Sequence, residues 1–89
     1  MNTVIIEIKN KELRKLPKHI VKKMIDWVEM VELEGIISVR RVSGFHDEPL
    51  KGSRRGQRSV RLSKQWRLIY LENKGNLEII VIEVTPHKY

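Results

Sequence analysis

Cysteine is absent from the chain, which excludes disulfides and thiolate metal ligands and fits a reducing compartment such as the cytoplasm. Histidine is scarce. His19, His46 and His87 lie far apart and share no ligand spacing, so no metal and no cofactor is expected. No apolar run approaches the roughly 18 residues of a membrane-spanning helix. The opening Met-Asn-Thr-Val-Ile-Ile-Glu lacks the basic start of a signal peptide. Gly52-Ser-Arg-Arg-Gly56 lacks the Gly-Lys-Ser/Thr ending of a nucleotide-binding P-loop. Repeats, low-complexity tracts and linkers are also missing, so residues 1–89 are expected to form one soluble, cytoplasmic domain.

Basic charge is abundant, and it is concentrated. Residues 1–39 hold seven Lys/Arg and six Asp/Glu, and residues 68–89 hold two and three. Residues 40–67 hold nine Lys/Arg against only Asp47 and Glu48, a local excess of +7 that equals the formal charge of the whole chain. A clustered excess attracts polyanions and releases counterions on phosphate binding, which points to nucleic acid. The plainer alternative is a solvated basic surface that aids solubility.

Periodicity gives the architecture. Thr3 to Ile8 reads as a strand, and Asn10 can cap a short helix that ends by Pro17. Ile20, Val21, Met24, Trp27, Val28 and Val31 mark one face of a long helix closed by Gly35. That stripe is core rather than a cofactor box, and His19 is a surface residue. Ile36 to Val42 fits either another helical turn or a short extended piece. Residues 43–56 read as loop, and strands are expected at Gln57–Leu62, Trp66–Glu72 and Leu77–Val84. The order β-α-α-β-β-β predicts an α+β fold, with two N-terminal helices on one face of a mostly antiparallel four-stranded sheet.

The first hairpin carries the chemistry. With Ser63, Lys64 and Gln65 as a three-residue turn, Val60, Leu62, Trp66, Leu68 and Tyr70 fall on one apolar face. Arg61 and Arg67 then oppose each other on the second face. Opposed like charges destabilise a sheet by up to about 1 kcal/mol. Such a pair implies either an intervening carboxylate, for which Glu72 and Glu78 are candidates, or a socket for an anion. A planar guanidinium fork suits phosphate.

The segment Leu50-Lys-Gly-Ser-Arg-Arg-Gly-Gln-Arg-Ser-Val-Arg-Leu-Ser-Lys-Gln-Trp-Arg-Leu-Ile-Tyr70 resembles the HigB-like branch of the RelE toxin superfamily. Phe45-His-Asp-Glu-Pro-Leu50 before it and Glu83-Val-Thr-Pro-His-Lys-Tyr89 at the end are similar to the same branch. The resemblance implies a RelE-like fold and metal-independent, ribosome-dependent cleavage of mRNA in the 30S A site. It also implies neutralisation by a HigA-like helix-turn-helix antitoxin. It assigns Arg61 and Arg67 to the RNA phosphate and adds Lys51 from the Leu-Lys-Gly element. Many relatives end in Asp-Tyr-His, whereas this chain ends in His87-Lys88-Tyr89, so the terminal acid is missing.

Metal-free RNA cleavage needs a base for the 2′-hydroxyl, cations for the phosphate and an acid for the leaving 5′-oxygen. Histidine titrates near neutrality, which makes His87 the first candidate for proton transfer and His46 the second, unless Asp47 and Glu48 simply hold it. Lys51 could act as a base if neighbouring cations depress its pKa. Tyr89 could stack on a base or pack on the sheet edge. His46, Arg54, Arg55, Arg58 and Lys64 are the expected RNA contacts. Two rivals remain open: a ParE-like toxin that inhibits DNA gyrase without cutting RNA, and a non-catalytic RNA- or ribosome-binding module.

Overall fold

The computed structural model describes residues 2–86. Strand β1 (Thr3–Ile6) leads into helices α1 (Asn10–Arg14), α2 (Lys18–Glu34) and α3 (Ile36–Arg40). Strands β2 (Glu48–Pro49), β3 (Gln57–Arg61), β4 (Trp66–Asn73) and β5 (Glu78–Pro86) follow. They form one sheet in the order β1-β5-β4-β3-β2. Strand β1 runs parallel to β5, and the helices carry the chain from β1 at one edge of the sheet to β2 at the other. The remaining neighbours are antiparallel.

The sheet thus has five strands where four were expected. The extra one, β2, is a two-residue edge inside the segment read as loop, too short to show any alternation. Asn10 also departs from expectation. It is the first helical residue of α1, the cap position belongs to Lys9, and no side chain caps that end. Asn2 does such work elsewhere. Its Oδ1 accepts the Ile36 amide at 2.7 Å at the start of α3, and its Nδ2 donates to the Leu77 carbonyl at 3.2 Å.

Helix α2 buries Ile20, Met24, Trp27 and Val31, spaced four, three and four residues apart, as one face of a 3.6-residue period dictates. These residues join Val60, Leu68, Tyr70, Ile79 and Val81 of the sheet in one cluster. Burying each large apolar side chain contributes about 1.5–3 kcal/mol, so this seam fixes the layer arrangement. Trp27 meets Tyr70 with ring centroids 5.3 Å apart. Gly35 ends α2 at φ 84° and ψ 153°, a region essentially closed to residues with a Cβ, while its amide donates to the Val31 carbonyl at 2.8 Å. The chain then restarts as α3, which buries Ile36 and Val39 and settles the open reading of that segment as helix.

One irregularity decides which face of β5 looks outward. Ile69 pairs with Glu83 but Tyr70 pairs with Val81, leaving Ile82 unpaired as a bulge. Strict alternation would put Glu83 on the same face as buried Val81. The bulge instead sends Val81 and Val84 to the helix side and Glu83 and Thr85 to the open side, beside Ile69 and Arg67.

Candidate functional site

The hairpin register agrees with the hydrophobic pattern. Arg61 and Arg67 are Cα partners, Val60 pairs with Leu68, and the turn closes through the Leu62 amide donating to the Trp66 carbonyl at 2.9 Å. Directly opposed residues share a face, so both arginines project from the side of the sheet away from the helices. Neither Glu72 nor Glu78 neutralises them. Glu72 instead binds Arg40 at 2.7 Å, and Glu78 lies at the far end of the sheet opposite Asn73.

Arg67 lines a cleft of about 230 Å³ together with Glu48, Arg54, Ser59, Thr85 and Pro86. Strand β2 brings Glu48 there because it pairs with Ser59, which lies on the open face. Arg54 reaches the open face from the turn at Gly52–Arg54 and is anchored by Glu83, with Nη2 to Oε1 at 2.6 Å. Arg61 lines a separate pocket at the β3–β4 turn, with Lys23 and Phe45. Among the described residues, Arg61 Nε, Arg67 Nη1 and Arg54 Nε are buried with no hydrogen-bond acceptor. A buried donor without an acceptor is costly, more so on a charged group, and an anion in the cleft would offset that cost for Arg54 and Arg67, which line it.

The other basic candidates divide. Arg58 is engaged within the fold. It pairs with Tyr70 in the register, lies on the helix side, and donates from Nε to Asp47 Oδ1 at 2.6 Å, where the Asp47 side chain is 1% exposed. Lys51 and Arg55 are exposed at the two ends of the Gly52–Arg54 turn, and neither lines the cleft. Lys64 is exposed in the hairpin turn and lines the Arg61 pocket. His46 is exposed at φ 44°, outside the cleft, and the acid beside it has other partners. His87 and Tyr89 lie outside the described residues. Ion pairs within the fold thus occupy Arg40, Arg54 and Arg58 of the nine basic residues in 40–67. Arg41, Lys51, Arg55, Arg61, Lys64 and Arg67 supply the remaining field.

Behind the cleft a polar network ties the loop to the core. The Tyr70 hydroxyl donates to Asp47 Oδ2 at 2.7 Å and accepts from Arg40 Nε at 3.0 Å. Burial pushes the Tyr70 phenol well above its ordinary value, and the hydrogen bond to Asp47 pushes it further. Burial opposes the Arg40 charge, but hydrogen bonds to Glu72 and Tyr70 outweigh it and raise that guanidinium's pKa. Asp47 immediately precedes Glu48, so the network fixes the start of β2 and with it the carboxylate of the cleft.

Two functional candidates were missed from sequence, Glu48 and Glu83. Glu48 stood only as a possible partner for His46, because a two-residue strand gives no signal of its face. Glu83 lies 29 residues from Arg54, and only the bulge at Ile82 turns it outward. A larger cleft of about 480 Å³ opens between α1 and the end of β5. Its charged lining is Glu7, Glu12 and Glu83 against Lys9 and Lys15, which is the wrong sign for a polyanion.

No family model matches the chain, and no curated protein matches it in sequence. Solved structures do match in shape. RelE in the archaeal RelE–RelB complex from Pyrococcus horikoshii is 26% identical, with a TM-score of 0.71 over 96% of this chain and 93% of that one. YafQ from E. coli is 14% identical, with a TM-score of 0.74 over 98% and 94%. The heterotetrameric YoeB–YefM toxin–antitoxin complex from Staphylococcus aureus matches at 18% identity and a TM-score of 0.66 over 100% and 99%. The chain has a RelE-like fold.

Proposed function

We propose that this chain is the toxin of a toxin–antitoxin pair in the RelE superfamily, and that it cleaves mRNA on the ribosome without a metal. The observation that carries this reading is the opposed Arg61–Arg67 pair, each member with a buried guanidinium nitrogen that lacks an acceptor. The fold supports it, and so do neighbours whose complexes contain RelB or YefM, which favour an antitoxin partner here. The motifs around Leu50-Lys51-Gly52 and Ser59-Val60-Arg61 favour the HigB-like branch, with a HigA-like helix-turn-helix antitoxin.

In this mechanism Arg67 and Arg61 hold the phosphodiester and stabilise the charge that develops on it. Glu48, across the cleft from Arg67, accepts the 2′-hydroxyl proton as the 2′-oxygen attacks phosphorus. The P–O5′ bond breaks and leaves a cyclic 2′,3′-phosphate. His87, next in sequence after the cleft-lining Pro86, donates a proton to the departing 5′-oxygen. Arg54, held by Glu83, adds a second cation beside Arg67.

The test is a translating extract with primer extension on the mRNA. Discrete cuts that appear on adding the protein and vanish when translation is blocked are expected. Intact mRNA with inhibited gyrase supercoiling would establish the ParE-like reading instead, and RNA binding without scission would establish the non-catalytic module.

A further inference from the structure

We infer that Glu83 is a positioning residue: it holds Arg54 away from Glu48 and so keeps that carboxylate free to take the 2′-hydroxyl proton. This assignment rests on the RNA-cleavage reading and adds a residue to its site.

Glu48, Ser59, Ile69 and Glu83 are successive Cα partners across four neighbouring strands, so they form one row on the open face of the sheet. The two carboxylates end the row, three strand spacings or about 14 Å apart from Cα to Cα. Ser59 and Ile69 between them are only 5% exposed, although they face away from the helices. Leu50 and Arg54, from the loop after β2, line the cleft with them. Arg54 thus shares its cleft with Glu48 and reaches Glu83 on the far side. It takes Glu83 at 2.6 Å, and among the described residues no ion pair engages Glu48. The bulge at Ile82 is what turns Glu83 to this face, so the irregularity in β5 serves the site.

Arg54 can serve either acid because of how it is carried. It comes from a three-residue turn rather than a strand, and its amide donates to the Lys51 carbonyl at a long 3.4 Å. Its Nε is buried without an acceptor, so the guanidinium has donors to spare. Were Glu83 neutral, Glu48 would be the carboxylate left for it, because no other acid lines the cleft. A carboxylate gripped by a guanidinium fork is a poorer base: the pair favours its charged form and occupies the lone pairs that the proton needs. Arg67 is fixed on β4 in the adjoining row and makes no ion pair with Glu48. The Arg54–Glu83 pair adds little to stability, since its members are 42% and 41% exposed. Its effect is on the cleft.

The test is single-turnover cleavage of ribosome-bound mRNA by the full-length protein, comparing Glu83→Gln, Arg54→Gln and the double variant. Glu83→Gln should unfold in urea as the wild type does. Its maximal cleavage rate is expected to fall about 10- to 100-fold, part of what a general base supplies, while half-saturation by ribosomes stays unchanged. The double variant should match Arg54→Gln and cut at least about fivefold faster than Glu83→Gln, because no cation is left to occupy Glu48. On a Glu48→Gln background, Glu83→Gln should change nothing further. A double variant no faster than Glu83→Gln overturns the inference and makes Glu83 a simple support for a phosphate-binding Arg54. Wild-type rate in Glu83→Gln overturns it, as does a loss seen in half-saturation rather than in maximal rate, or a further loss on the Glu48→Gln background. Wild-type protein that leaves ribosome-bound mRNA intact sinks the RNA-cleavage reading, and this inference with it.

Discussion

Removing the Asp47 carboxylate is the sharpest test of how the cleft is held. The Asp47 side chain is 1% exposed and binds two groups, Arg58 Nε at 2.6 Å and the Tyr70 hydroxyl at 2.7 Å. Asp47→Ala leaves the Arg58 guanidinium, 27% exposed, without its counterion and the phenol without its acceptor. Breaking a buried pair from one side costs about 3–5 kcal/mol, and the residual exposure of Arg58 puts the expected loss near the lower end, at about 3 kcal/mol. With a urea m-value of about 1–1.5 kcal/mol/M for a chain this small, the unfolding midpoint should fall by roughly 2–3 M. Asp47→Asn keeps an acceptor oxygen and should lose less. Tyr70→Phe combined with Asp47→Ala should be non-additive by about 1–2 kcal/mol, since both act on one network. Cleavage by Asp47→Asn should fall through Glu48, whose backbone position the network fixes. An Asp47→Ala protein within about 0.5 kcal/mol of wild type, the range of an ordinary surface substitution, would refute the reasoning.

Other expectations follow from single contacts. The phenol of Tyr70 is raised from its ordinary 10.0, so the folded state holds its proton more tightly than the unfolded one. Its stabilising contribution is complete below pH 10 and is lost as pH rises above that value; ultraviolet titration should show a delayed phenol that Tyr70→Phe removes. Gly35→Ala forces a Cβ into φ 84° and should destabilise by about 1–3 kcal/mol, read as a drop in melting temperature. Glu48→Gln removes the proposed base but leaves the arginines, so primer extension should show cleavage reduced by about 10²–10⁴-fold while RNA affinity holds. Equal loss of affinity and cleavage would make Glu48 a binding group.

The hairpin was legible in the sequence because two constraints agreed. Apolar alternation from Val60 to Tyr70 and a turn of three residues allow a single register, and that register opposes the arginines. Helix α2 was legible for a similar reason, a long stripe ended by a glycine. What escaped the sequence depends on single residues or distant partners. The bulge at Ile82 leaves no trace, because an apolar residue suits either face of β5. Asp47 looked like a partner for His46 beside it, whereas its partners stand 11 and 23 residues away. Arg58 looked like part of a continuous basic patch, but the two-residue period of β3 turns it from Arg61 toward the helices. The largest departure in the fold, strand β2, is set by pairing with Ser59 and Arg58 rather than by any propensity of Glu48-Pro49.

The central claim concerns the two arginines acting together on one phosphate. Single-turnover cleavage of ribosome-bound mRNA by Arg61→Gln, Arg67→Gln and the double variant tests it most directly, with folding checked by circular dichroism. Each single change should slow cleavage by about 10²–10³-fold, and the double variant should be little worse than the poorer single one, as expected of groups that work as a unit. Cleavage at wild-type rate in either single variant, or losses that simply multiply, would contradict a shared phosphate seat.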